Sequence, residues 1–207
     1  MPFLDIFKPE KSGLEAKIIE TFSNPPTLST ERLDLVKISA EHSGDMYEYS
    51  CDSEVTKYLT WSCHSSPKET ERYIKLLQRK YQSGVFNDWG LIYKQTGKFI
   101  GTCGFTSFDY NENTAEIGYV LARPYWGMGL AAEAARAVME FGFENFGLFG
   151  FSAKCIEGNS ASMRVMQKLG MSLEGLYRNA MFIKGEYKNI VVYKVNREKY
   201  FEHRETT

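Results

Sequence analysis

The 207-residue sequence is poor in the residues that build disulfide frameworks and metal sites. It has four cysteines, none in a CxxC pair, and three histidines that form no cluster. Zinc sites and disulfide-rich folds depend on closely spaced cysteines and histidines, so we expect no metal and free thiols in a reducing cytoplasm. The cysteines are Cys51, Cys63, Cys103 and Cys155.

The chain also lacks an excess of charge of one sign and a long apolar run. Its 25 basic and 26 acidic residues give a formal net charge of −1, whereas broad nucleic-acid binding requires a basic excess. No segment approaches the roughly 20 apolar residues of a membrane-spanning helix. The opening MPFLDIFKPEK has no apolar core of the kind a signal peptide needs. The sequence therefore predicts a cytoplasmic protein that binds neither nucleic acid nor membrane.

The composition is that of an ordinary globular protein, with 43% apolar and 25% charged residues. A domain of this length buries roughly 70% of its unfolded surface and needs no covalent support. We expect one domain over residues 28–197, an extension over residues 1–27 and a polar tail over residues 198–207. Helically spaced apolar residues at 13–22 predict a short helix, either packed on the domain or serving as a partner-binding arm.

Apolar periodicity and turn residues divide the domain into short strands and helices. The predicted order is β-α-α-β-β-β-α-β-α-β-β, an α/β arrangement (α+β with one mixed sheet) in a single domain. The last two strands, residues 172–183 and 187–195, form a hairpin about Lys184-Gly185. The other predicted strands are residues 33–36, 86–94, 99–108, 115–122 and 149–156, and the helices are residues 40–53, 66–84, 130–141 and 160–169.

Two glycines, Gly127 and Gly129, lie between a predicted strand and a predicted long helix. Glycines let the backbone approach a ligand closely, and free N–H groups at a helix start attract phosphate. With Ala132 they also resemble the GxGxxA of dinucleotide-binding proteins. That alternative is disfavoured, because four residues separate the strand from the motif and the nearest suitable acid, Glu157, follows 25 residues after Ala132.

Four motifs follow one another along the domain: Ala115-Glu116-Ile117-Gly118-Tyr119, residues 125–134 (YWGMGLAAEA), Asn159-x-x-Ser162 and Leu169-Gly170-Met171. In order and spacing they closely resemble the GNAT superfamily of N-acetyltransferases. Thr30-Glu31-Arg32-Leu33, Phe99-Ile100-Gly101 and Gly185-Glu186-Tyr187 are similar to its RimJ/RimL type, the ribosomal-protein N-terminal acetyltransferases. The resemblance covers about residues 28–196. It implies the GNAT acyl-CoA N-acyltransferase fold, acetyl-CoA as co-substrate, and acetyl transfer to a primary amine by direct attack in a ternary complex.

The resemblance also implies a coenzyme A site built mainly from backbone groups. The glycine turn is similar to the family's pyrophosphate loop, and Asn159, also a good helix N-cap in its own right, matches an asparagine that contacts the pantetheine arm. Trp126 stands where many members carry Arg or Gln, so no side-chain charge is expected there. The implied cofactor-binding residues are Val120, Leu121, Trp126, Gly127, Met128, Gly129, Leu130, Ala131, Asn159 and Ser162.

The catalytic groups are less directly implied, because Met166 and Lys154 stand where many members carry a tyrosine acid and a glutamate base. Glu116, an acid within an apolar strand, is the candidate base or water-orienting group; a structural carboxylate held by a lysine or tyrosine is the alternative. Ser162 is the candidate donor to the departing thiolate, or a plain helix residue. Trp61 is expected to form a wall of the acceptor pocket, or to pack in the core.

The acceptor stays open between a protein N-terminus and a cationic small amine. Glu41, Asp45, Glu48 and Asp52, with Glu54 beyond, either attract a cationic acceptor to the cleft mouth or form a solvated face. His42 and His64 are expected to be exposed and without a role. A catalytically silent acyl-CoA-binding module and a dinucleotide-dependent oxidoreductase are the alternatives to the enzyme, and we expect a monomer or homodimer.

Overall fold

A computed structural model of the chain describes residues 13–85 and 88–205. Residues 1–12 of the predicted extension, positions 86 and 87 of a predicted strand and residues 206–207 of the predicted tail lie outside the described residues. The strands are β1 Leu28–Ser29, β2 Leu33–Val36, β3 Asp88–Tyr93, β4 Lys98–Asp109, β5 Thr114–Leu121, β6 Gly150–Ile156, β7 Ser172–Ile183 and β8 Glu186–Asn196. The α-helices are α1 Gly13–Ser23, α2 Ser43–Ser50, α3 Ser53–Thr56, α4 Pro67–Gln82, α5 Leu130–Asn145, α6 Ser160–Lys168 and α7 Arg197–Glu205.

The strands form one mixed sheet with the order β1-β2-β3-β4-β5-β6-β8-β7. Neighbouring strands are antiparallel except β5 and β6, which are parallel and connected through α5. These two pair over Thr114–Glu116 and Gly150–Ser152, although β5 continues to Leu121 and β6 to Ile156. The strands therefore separate after Glu116, and we call the resulting gap in the sheet the β5–β6 cleft.

One face of the sheet carries the larger core, covered by α1, α5 and α7. Ile18 and Phe22 of α1 are buried there, and the Phe22 ring lies 5.0 Å from that of Trp89, so the predicted first helix packs on the main domain. The prediction of a polar tail over residues 198–207 is wrong for the residues described. They form α7, because Tyr200 is buried and its hydroxyl donates to Glu140.

The opposite face of the sheet carries a smaller core between α2, α4 and the strands, which includes Met46, Ile74 and Phe99. The prediction of one helix over residues 40–53 is wrong here. A short 3₁₀ turn precedes α2, and α3 starts separately because the Asp52 carboxylate caps it by accepting from the Glu54 N–H at 2.9 Å. This interruption turns the chain toward the loop that contains Trp61.

The predicted fold class is confirmed, and the predicted strands and helices recur in the predicted order. Lys184 and Gly185 both have positive φ, +51° and +86°, which is the backbone geometry of a two-residue hairpin turn. The sequence analysis missed β1, whose two residues are too few to show alternation. In the described part of the chain, the helices are too short or too polar to cross a membrane.

Candidate functional site

Two cavities meet at the β5–β6 cleft. The large cavity, about 540 Å³, lies beneath α2 and α4, and the small cavity, about 270 Å³, lies beside the start of α5. Six residues line both: Tyr58, Leu59, Tyr119, Val120, Asn159 and Ser162. Two ligands bound in the two cavities would therefore meet where β5 and β6 separate.

The small cavity contains most of the residues predicted to hold coenzyme A. Gly127 and Gly129 have φ of +78° and +80°, a region that L side chains rarely adopt. A Cβ on Gly127 would meet no described atom within 4 Å, so the turn needs glycine for its backbone angle and stays open to a ligand. The small cavity is lined by Leu121, Trp126, Gly127, Gly129, Leu130 and Ala131 in addition to the six shared residues.

Trp126 and Met128 contribute to this turn in ways that the sequence analysis did not foresee. The Trp126 indole N–H donates to the Leu121 carbonyl at 2.7 Å and so ties the turn to the end of β5. Met128 does not line the small cavity; its carbonyl accepts from Arg32 Nη1 at 2.9 Å. Met128 therefore supports the turn through its carbonyl contact with Arg32.

Arg32 and Glu133 form an ion pair that holds the glycine turn against the start of β2. Arg32 Nη2 lies 2.6 Å from Glu133 Oε2, and Glu133 Oε1 accepts from the Arg32 backbone N–H and the Thr30 hydroxyl. Burial alone would raise the pKa of Glu133, but these hydrogen bonds and the guanidinium charge outweigh burial and lower it. The sequence analysis quoted the Thr30–Leu33 motif without assigning this contact.

Glu116 lies where β5 and β6 begin to separate and lines the large cavity. Its Oε2 is 2.9 Å from Lys154 Nζ, and its Oε1 accepts from the Thr106 hydroxyl at 2.7 Å. A β-bulge between Phe105 and Ser107 brings Thr106 to this position. The geometry matches the predicted alternative of a lysine-held carboxylate, and a role as base stays a prediction.

Ser162 and Asn159 meet at the N-terminus of α6. Asn159 is the N-cap of α6, and its Oδ1 accepts from the Ser162 N–H at 3.2 Å. This is the hydrogen bond expected of an asparagine that caps a helix. The Ser162 hydroxyl lies 3.0 Å from the hydroxyl of Tyr119, which also donates to the Ser162 carbonyl at 3.1 Å. Burial raises the pKa of Tyr119 well above its ordinary value, so its phenol keeps its proton. The sequence analysis quoted Tyr119 in a motif but gave it no role.

Trp61 and His64 lie together in the wall of the large cavity. The two rings are 5.5 Å apart, and the binding role predicted for Trp61 stays a prediction. The expectation that His64 is exposed is wrong, because its side chain is half-buried. Its Nδ1 lies 2.7 Å from the Thr70 hydroxyl and 3.0 Å from that of Ser50, and burial lowers its pKa. His42 is likewise half-buried, stacked on Phe99 at 4.9 Å.

The acidic residues of the α2 region are largely paired within the chain. Asp45 accepts from the Phe99 N–H at 2.9 Å, and Glu48 lies 3.0 Å from Lys98. Asp52 lies 2.8 Å from Arg123. These contacts weaken the prediction that the cluster attracts a cationic acceptor.

Residues 32–172 match a family model described as an acetyltransferase (GNAT) domain. The chain belongs to the GNAT family. It is 33% identical over 174 residues to the uncharacterized N-acetyltransferase p20 of Bacillus licheniformis, which covers 84% of this chain and 98% of that protein. It is 27% identical over 171 residues to the ribosomal-protein-serine acetyltransferase of Escherichia coli strain K12, covering 79% and 92%. A GNAT-family acetyltransferase structure from Bacillus anthracis matches with a TM-score of 0.74 and 27% identity, covering 84% and 99%.

Membership of the GNAT family confirms the predicted resemblance, fold and co-substrate: the protein is an acetyl-CoA-dependent N-acetyltransferase. The match gives no support to a dinucleotide-dependent oxidoreductase. The residues of the small cavity fit coenzyme A, because the open turn at Gly127 leads into the N-terminus of α5, where backbone N–H groups favour phosphate.

Proposed function

We propose that the protein transfers the acetyl group of acetyl-CoA directly to a primary amine while both are bound, one on each side of the β5–β6 cleft. The observation that carries this proposal is the wall of six residues common to both cavities, Tyr58, Leu59, Tyr119, Val120, Asn159 and Ser162. Coenzyme A occupies the small cavity along the predicted cofactor-binding residues, and the amine occupies the large cavity. Holding the two reactants together supplies most of the rate acceleration.

The chemistry requires the amine to lose a proton and the thiolate to be stabilised. An α-amine has a pKa near 8 and a lysine-type amine one near 10.4, so both enter mainly as ammonium ions. Glu116 accepts that proton or orients a water that does, while Lys154 and Thr106 hold its carboxylate toward the cavity. The amine nitrogen then bonds to the acetyl carbonyl carbon and the carbon–sulfur bond breaks, with Ser162 donating a hydrogen bond to the leaving sulfur. The second proton that the nitrogen loses as the amide forms passes to this thiolate, which leaves as the thiol of coenzyme A.

The large cavity supports a small amine rather than a folded protein as the acceptor. Its volume falls within the range of small-molecule sites. Named relatives differ in their acceptors. One is named a ribosomal-protein-serine acetyltransferase, and another, from Escherichia coli strain K12, is a spermidine N(1)-acetyltransferase that is 26% identical over 53% of this chain. The four free cysteines suit a reducing cytoplasm. The proposed state of assembly is a monomer or a homodimer.

The test is a library of small amines and short peptides incubated with acetyl-CoA, followed by mass spectrometry and by thiol-dye detection of coenzyme A. We expect acetylation of small primary amines with equal release of coenzyme A. Glu116→Gln should lower kcat by about tenfold to 100-fold, whereas Glu144→Gln, an exposed acid on α5, should not. Binding of acetyl-CoA without acetylation of any amine would instead favour the catalytically silent module.

A further inference from the structure

Asp88 is a carboxylate at the edge of the large cavity that has no partner in the described chain. It begins β3 and lines the cavity together with Tyr49, Trp61 and Tyr73. Its backbone carbonyl accepts from the Tyr81 hydroxyl at 2.6 Å. Among residues 13–85 and 88–205, however, its side-chain oxygens make no hydrogen bond or ion pair.

The surroundings of Asp88 are poor in positive charge. Burial raises the pKa of its carboxyl to about 7. The positive charge of Lys80 acts in the opposite direction and lowers this pKa, but Lys80 forms no ion pair with Asp88. The pKa values of Tyr49 and Tyr73 are raised by burial first and also by the Asp88 charge. A carboxylate in an aromatic cavity without a counter-ion is unfavourable, and a bound cation would remove that cost.

The sheet register fixes how far Asp88 lies from the reacting centre. Asp88 pairs with Gly104, and Gly104 pairs with Gly118 of β5, so the three residues form one row across the sheet. Two strand spacings separate Asp88 from Gly118, which is about 10 Å. Gly118 lines the same cavity beside the β5–β6 cleft. The carboxylate is therefore too far to act on the attacking nitrogen and close enough to reach another group of the same small molecule.

We propose that Asp88 binds a second positive charge of the acceptor, and that the enzyme consequently prefers small amines carrying a further cationic group on a short spacer. Tyr49, Trp61 and Tyr73 supply aromatic faces to the spacer and to the second cation. Asp88 is thus a specificity-determining residue, distinct from Glu116, which lies at the cleft. This inference rests on the proposed acetylation of an amine in the large cavity.

The test compares straight-chain α,ω-diamines with n-alkylamines of the same length as acceptors. In wild type, kcat/KM should favour the diamine by at least about tenfold. Asp88→Asn, which keeps the shape and removes the charge, should reduce this preference to within about threefold, because the loss of kcat/KM falls mainly on the diamine. Asp88→Glu should retain much of the preference. The matched control is Glu71→Gln, which removes an exposed acid of α4 and should behave as wild type.

Calorimetric titration of the diamine into the coenzyme A complex separates this inference from the proposed function. Diamine binding that Asp88→Asn abolishes supports the role of Asp88 in binding the second cation, even if no amine is acetylated. Acetylation of amines without a preference for diamines overturns this role of Asp88 and leaves the proposed function standing. An equal loss of activity on both kinds of amine in Asp88→Asn, with unchanged Tm and acetyl-CoA affinity, also overturns it, because Asp88 would then act on the reacting nitrogen.

Discussion

At the scale of single residues, the hydroxyl groups of Tyr119 and Ser162 act as one unit at the meeting point of the two cavities. Tyr119 donates to the Ser162 carbonyl, so the 3.0 Å contact between the two hydroxyls is a hydrogen bond donated by Ser162, whose proton must turn from Tyr119 to reach a sulfur in the cleft. The raised pKa of Tyr119 keeps the phenol neutral at neutral pH. In the proposed mechanism Tyr119 therefore orients Ser162, and Ser162 contacts the leaving sulfur.

Ser162→Ala and Tyr119→Phe should each lower kcat by about tenfold to 100-fold, with acetyl-CoA affinity little changed. Because both changes remove parts of the same unit, the double variant should be no slower than the slower single variant. The rate of coenzyme A release, measured for each variant, tests this prediction. Tyr177→Phe, which changes an exposed tyrosine of β7, is the control. Multiplicative losses in the double variant would mean that the two hydroxyls act independently.

At the scale of elements, the glycine turn depends on a contact between the start of the domain and its middle. Arg32 at the start of β2 binds both the Met128 carbonyl and Glu133 in the first turn of α5. This arrangement keeps the turn at positive φ while its N–H groups stay available to a phosphate. Arg32 and Glu133 are positioning residues, since neither lines the small cavity.

Arg32→Met and Glu133→Gln should each weaken acetyl-CoA binding by about tenfold, or 1.4 kcal/mol, because a loosened turn must be ordered on binding. Lys75→Met removes an exposed cation of α4 and serves as the control. The pKa of Glu133 is lowered in the folded protein, so the stability it contributes is present above its unfolded value and is lost as pH falls through the folded value. Unchanged affinity at neutral pH in both variants would contradict the positioning role.

The elements that could be predicted from the sequence are those specified by neighbouring residues. The Lys184-Gly185 turn and the start of α6 at Asn159 follow from local turn and capping chemistry. The contact between Arg32 and Glu133 joins residues 101 positions apart, and no local pattern indicates it. Asp88 was missed for the same reason, because its isolation depends on which side chains the fold brings around it.

At the scale of the whole molecule, the charge is nearly balanced, and the acids of the α2 region are largely paired within the chain. The net charge is −1, and acids of the α2 region bind Lys98 and Arg123 rather than facing the cavity unpaired. A long-range field that draws cations to the cleft needs an excess of unpaired charge at its mouth. The structure therefore favours recognition of the acceptor by short-range contact inside the large cavity.

This balance predicts a weak dependence of catalysis on ionic strength. Between about 50 mM and about 500 mM salt, kcat/KM for the best amine should change by no more than about threefold, because buried interactions are screened much less than exposed ones. The salt curve of Asp45→Asn/Glu48→Gln should run parallel to that of wild type. An asparagine at position 45 can still accept from the Phe99 N–H, so the double variant tests charge rather than folding. A steep fall of kcat/KM with salt in wild type that is absent from the double variant would contradict this prediction. It would show that the acidic residues of the α2 region attract the acceptor.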